Sequence, residues 1–132
     1  MDEIWKIING YSNYMISNFG RVRGLVSNKI LTPAKCANGY RTVNLWENNT
    51  YKSFYVHRLV AQAFCDKTIF ATEVNHINGI VYDNNSENLE WVTRSENIRH
   101  RFDYLDTPEK KEIRSKCRQG EKHGMAKLNN LK

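Results

Sequence analysis

The residues best placed to do chemistry lie between 74 and 100. Asn75 and His76 sit side by side in a short β-prone run, and after a long polar loop Asn97 and His100 fall one helical turn apart, on a shared face. Hydrolysis of a phosphodiester makes three demands. A water must lose a proton, charge building on the phosphate must be neutralised, and the leaving oxygen must be stabilised. One divalent cation serves the last two, and a histidine of near-neutral pKa serves the first. Such a site wants a histidine on a rigid strand beside a metal held from a facing helix. Residues 74–100 can supply that arrangement.

The elements that would position these residues can be read from periodicity. Glu73 to Ile77 reads as a strand, Asn78 to Glu87 as a loop of turn formers, and Leu89 to Val92 as the return strand. Thr93-Arg94-Ser95-Glu96 has the form of a capping box, so a helix begins at once and runs to about Phe102 or Tyr104. Upstream, Val56, Leu59, Val60, Ala63 and Phe64 mark one face of a helix ending near Cys65-Asp66. Before it, Tyr40 to Trp46 and Tyr51 to Val56 flank the turn Glu47-Asn48-Asn49-Thr50 as a hairpin. Earlier still, Tyr14 to Ser17 and Arg21 to Leu25 read as short strands around a turn at Asn18-Phe19-Gly20. At the other end, Thr107-Pro108 opens a basic helix to about Arg118, and Gly120 ends it. Trp5, Trp46 and Trp91 are expected in or near the core.

The composition fits these elements. A chain of 132 residues, 40% apolar, can hold one compact domain or a small domain with an appendage. No apolar run approaches a membrane span, and the N-terminus lacks the pattern of a signal peptide. Cys36, Cys65 and Cys117 are odd in number and widely spaced, which argues against a disulfide framework or a structural zinc site and suits a reducing cytoplasm. The net charge of +6 is uneven. Residues 1–93 carry nine Lys and Arg against eight Asp and Glu, whereas residues 94–132 carry eleven against six. A basic surplus at one end suits a polyanion, or a solvated helix.

The stretch HRLVAQAF followed by EVNHINGIVYDNNSENLEWVTRSENIRH resembles the HNH endonuclease family, with its ββα-metal fold. Upstream, IWKIINGYSNYMISNFGRVRG resembles the W-x-x-I-x-G-Y module that precedes such domains in phage and intron-encoded homing endonucleases. GEKHGMAKL resembles the opening of a basic segment that leads, in those proteins, to a helical DNA-binding motif. The resemblance implies that His76 is the general base and that Asn88 braces the loop and helps aim it. It implies Asn75 and Asn97 as metal ligands, with His100 a further ligand or a phosphate contact, and Trp91 packed behind the helix that carries Asn97. Asp is frequent where Asn75 stands. With amides at both 75 and 97 the protein offers the ion no charge, so the DNA phosphate would complete the site.

Arginines and lysines outside this constellation are candidate DNA contacts. Arg21, Arg23, Lys29, Lys35 and Arg41 punctuate the N-terminal β region, as groove readers or as a charged, protected edge. Arg94 and Arg99 lie on the site helix. Lys110, Lys111, Arg114, Lys116 and Arg118 suit phosphate contacts. The expected architecture is α+β: an N-terminal antiparallel β module (1–54), a ββα-metal core (55–105), and a basic helix with a tail (106–132). The resemblance implies cleavage of double-stranded DNA with one Mg²⁺ or Mn²⁺, in the cytoplasm of a bacterial or phage-infected cell. One ββα site cuts one strand, so a monomer would nick. The alternatives are a DNA-binding module with a decayed nuclease site, and an RNA-directed nuclease of the same fold.

Overall fold

The computed structural model describes residues 1–105, together with 108, 109 and 112. Lys110, Lys111, Arg114, Lys116 and Arg118 of the expected basic helix, with Cys117 and His123, lie outside the described residues. The N-terminal part is a four-stranded antiparallel sheet made of β1 (Trp5–Ile8), β2 (Tyr11–Ser17), β3 (Val22–Gly24) and β4 (Lys29–Ile30). Gly20 turns β2 into β3 at a φ of 86°, a conformation that costs a Cβ-bearing residue dearly. A second sheet holds β5 (Ala34–Lys35), β6 (Arg41–Glu47) and β7 (Thr50–Tyr55). Asn48 and Asn49 join β6 to β7, both with positive φ (52° and 63°), as a two-residue hairpin turn with the twist of its strands requires.

Helix α1 (Val56–Phe64) leaves β7 without a break. The expected apolar stripe is what it buries. Val56, Leu59 and Val60 enter a core built also from Ile8, Ile16 and Val22 of the first sheet and Val43 and Leu45 of the second. Val74, Leu89 and Trp91 join the same cluster from the third sheet, a hairpin of β8 (Glu73–His76) and β9 (Leu89–Val92). Burying a side chain such as Leu45 or Val56 contributes about 1.5–3 kcal/mol. The core therefore runs without interruption from the N-terminal sheet to the last hairpin.

Helix α2 (Arg94–His100) starts at the capping box read in the sequence: Glu96 N–H donates to Thr93 Oγ1 (3.2 Å) and Thr93 N–H to Glu96 Oε1 (2.9 Å). A π-type turn, Arg101–Leu105, extends it. Antiparallel strands first and a strand-and-helix core after them make the fold α+β. Two expectations about tryptophan change. Trp46 is 53% exposed, on the outer face of its hairpin against Tyr51. Trp91 is buried as expected, but against α1 rather than α2, with its indole N–H donating to the Ala61 carbonyl (3.0 Å).

Candidate functional site

The β8–β9 hairpin sorts its side chains by parity. Val74 and His76 pair across the ladder with Trp91 and Leu89, on the face that meets α1. Glu73 and Asn75 lie on the opposite face, where α2 packs and where Glu90 stands directly across from Asn75. At the end of β8 both faces open into one cleft of about 470 Å³. Tyr40, Glu73, Asn75, His76, Arg94, Asn97 and Arg101 are among its walls.

His76 is buried yet reaches this cleft. Its Nε2 lies 2.9 Å from Asn84 Oδ1. An amide oxygen only accepts, so Nε2 carries the proton and Nδ1 keeps the lone pair. Burial lowers the pKa of the imidazole, against the raising effects of the Asn84 hydrogen bond and the Asp83 charge, so the ring is neutral near pH 7. Behind it stand Tyr40 and His57, with ring centroids 5.9 and 5.1 Å away. His57 is buried at the start of α1, with Nδ1 lacking a described partner. Burial pushes its pKa down to about 3, with His76 and Arg58 acting in the same direction.

The two asparagines proposed as ligands are each engaged through nitrogen. Asn75 Nδ2 donates to Glu90 Oε1 (3.0 Å), and Asn97 Nδ2 donates to Glu73 Oε1 (2.8 Å). Among the described residues no hydrogen bond uses either amide oxygen. Both residues line the cleft, and an amide oxygen is an uncharged but chemically suitable ligand for a hard cation such as Mg²⁺ or Mn²⁺. The residue types therefore fit the ion that the resemblance implies, although among the described residues no group of three or more His, Cys, Asp or Glu gathers to hold one.

Comparison with known proteins gives two family matches. Residues 3–46 match the NUMOD4 motif and residues 54–99 match the HNH endonuclease family. The chain belongs to the HNH endonuclease family. It is 43% identical over 106 residues to an uncharacterized HNH endonuclease of Acanthamoeba polyphaga mimivirus, covering 76% of this chain and 26% of that one. It is 38% identical over 99 residues to DNA endonuclease I-HmuI of Bacillus phage SP01, covering 74% of this chain and 57% of that one. The structure of the HNH homing endonuclease I-HmuI, described as binding and cleaving DNA, superposes with a TM-score of 0.73 at 34% identity, over 83% of this chain and 65% of that one. The chain thus spans about a quarter of the mimivirus relative and little more than half of I-HmuI.

The remaining expected residues of this HNH chain divide between the cleft and elsewhere. Asn88 braces the loop: its Nδ2 donates to the Asp83 carbonyl (2.9 Å) and its Oδ1 accepts from Asn78 N–H (3.0 Å). The side chain within hydrogen-bond distance of His76 is Asn84, so any effect of Asn88 on the histidine passes through the loop. His100 Nε2 lies 3.0 Å from the Ile77 carbonyl and is not among the cleft walls. Arg94 lines the cleft with a largely exposed side chain, and Arg99 is exposed on the same helix. Lys29 is exposed and Lys35 half-buried on the small strands. Arg21 donates through Nε and Nη2, one edge of its guanidinium, to the two carboxylate oxygens of Glu3, and Arg23 lies over the Trp5 ring (4.4 Å). Arg41 departs from expectation. It is buried, bonded to the Gly39 carbonyl and set over Tyr82, so its charge serves the turn rather than a groove-facing surface.

Sequence reasoning missed Asn84, Tyr40, Glu73 and Glu90. Asn84 was hidden among loop asparagines that all read as turn formers. The two glutamates carried a usable signal, since Glu73 shares the parity of Asn75 and the ladder register sets Glu90 opposite it.

Proposed function

We propose that the chain is a metal-dependent endonuclease that hydrolyses phosphodiester bonds in double-stranded DNA and nicks as a monomer. One observation carries the reading: His76, neutral and held through Nε2 by Asn84, opens on the same cleft as the amides of Asn75 and Asn97. In this reading Nδ1 of His76 takes the proton of the attacking water. Asn84 holds the ring and stabilises the imidazolium that forms. Asn75 and Asn97 would hold one Mg²⁺ or Mn²⁺, which neutralises charge on the phosphate and on the leaving oxygen when bound. Arg94 and Arg101, at the cleft, and Arg99 beside it supply phosphate contacts that give affinity and salt dependence. Lys29 and Lys35, on the small strands of the β module, are further candidate phosphate contacts.

Family likeness supports the reaction class, and HNH relatives named as DNA endonucleases support the substrate. The described helices include none long and apolar enough to cross a membrane, which accords with action on DNA inside a host cell. The two neutral amides favour a second reading, a DNA-binding module with a decayed nuclease site. Supercoiled plasmid incubated with Mg²⁺ or Mn²⁺ separates the two. The expected outcome is metal-dependent nicking that falls by about a hundredfold to ten-thousandfold in His76→Ala. Tight DNA binding with no nicking under any divalent ion would leave the second reading standing.

A further inference from the structure

Resting on that reading of the site, we infer that Glu73 and Glu90 are positioning residues for the divalent ion: they turn the amide oxygens of Asn97 and Asn75 toward it and place negative charge behind them. Three observations support this. First, the contacts are paired and independent. Glu90 accepts from Asn75 across the β8–β9 ladder, and Glu73 accepts from Asn97 across the β8–α2 packing. Second, the acceptors fix which way each amide points. A flipped amide would set its oxygen against a carboxylate oxygen, two acceptors at hydrogen-bond distance, so nitrogen must face the glutamate and oxygen the other way. Third, both amides line the cleft that His76 enters.

The consequence is electrostatic. Two amides alone are weak, uncharged ligands for a hard cation. A carboxylate that accepts from the amide nitrogen polarises that amide and makes its oxygen more basic, as partners of metal ligands commonly do. The sequence places no charge on the proposed ligands themselves. The fold places two carboxylates one hydrogen bond behind them. Arg94 Nη1 stands 3.8 Å from Glu73 Oε2, but its side chain is 81% exposed, so solvent screens this opposing charge.

The test uses the full chain with a short DNA duplex and Mn²⁺ as probe, free Mn²⁺ being read by its paramagnetic resonance signal. Glu73→Gln and Glu90→Gln keep an acceptor and remove the charge. They are expected to weaken Mn²⁺ binding about tenfold, and the corresponding alanines up to about a hundredfold. Urea unfolding in EDTA provides the second measurement, because a purely structural role would lower the midpoint there and leave Mn²⁺ affinity unmoved. Wild-type Mn²⁺ affinity in the glutamate variants, with binding lost in Asn97→Ala, would overturn the inference and leave the metal-dependent reading intact. Wild-type affinity in Asn75→Ala and Asn97→Ala as well would remove the metal site and the inference together.

Discussion

His57 should make the protein sensitive to acid, by an amount that can be worked out. Its ring lies between Tyr40, Tyr55 and His76, with centroids 5.0, 5.3 and 5.1 Å away, and it is 7% exposed. Burial holds its pKa at about 3 in the folded chain, against an ordinary value of 6.5. The depressed value belongs to the native state, so stability is complete above pH 6.5 and is lost as pH falls from 6.5 toward 3. Over that window the unfolded chain binds a proton that the folded chain refuses. Between about pH 7 and about pH 4.5 the loss from this one group is about 2–3 kcal/mol, since each unit of difference is worth about 1.4 kcal/mol. His57→Phe keeps a ring in the slot and removes the titration. Urea unfolding, followed by tryptophan fluorescence at the two pH values, should show the wild type losing about 2–3 kcal/mol more than the variant. Groups remote from the slot behave alike in both proteins and cancel in the comparison. Parallel losses in the two proteins would refute the claim that His57 is held neutral by burial.

Three further outcomes are expected. Asn75→Asp removes the N–H that Glu90 accepts and sets two carboxylates face to face; in EDTA it should cost about 1.5–3 kcal/mol, recovered by Mn²⁺ or by adding Glu90→Gln, and an unchanged unfolding midpoint would count against the pair. A Cβ at Gly20 would lie 2.8 Å from Asn84 Cβ and 3.0 Å from its carbonyl oxygen, at a φ of 86°. Gly20→Ala should therefore destabilise by about 1–3 kcal/mol and slow nicking by disturbing the partner of His76, both readable from urea curves and plasmid assays. Arg94→Ala should weaken DNA binding uniformly across sequences and reduce the slope of log affinity against log salt by about one, measured by fluorescence anisotropy.

Much of the fold was legible because its signals are local. The stripe at Val56, Leu59 and Val60, the Asn48-Asn49 turn and the Thr93–Glu96 box each name their own structure, and each forms where its residues say. The strand β1 was missed because Trp5 to Ile8 alternates weakly and is defined by pairing with β2. The candidate site divides along the same line. His76, Asn75 and Asn97 stand in a motif with fixed spacing. The atoms that hold them come from elsewhere: Asn84 from a loop, Tyr40 from before β6, and Glu73 and Glu90 from a ladder register. Arg41 shows the converse. A charged residue in a β-prone segment reads as a surface group, and only the packing of Tyr82 over it reveals a buried cation.

The turn at Gly20 bears on how such chains can be recombined. The NUMOD4 and HNH matches end and begin at residues 46 and 54, which invites the picture of an exchangeable handle joined at the β7 hairpin. The joint that matters lies elsewhere. Asn84 touches His76 on one side and Gly20 on the other, and Ser86 N–H donates to the Asn18 carbonyl (2.8 Å). A chimera spliced at the apparent seam would inherit a foreign turn against the histidine's own support. A donor turn with any other residue in place of that glycine would press its Cβ against Asn84, the partner of His76, and carry the same penalty into the second half of the chain.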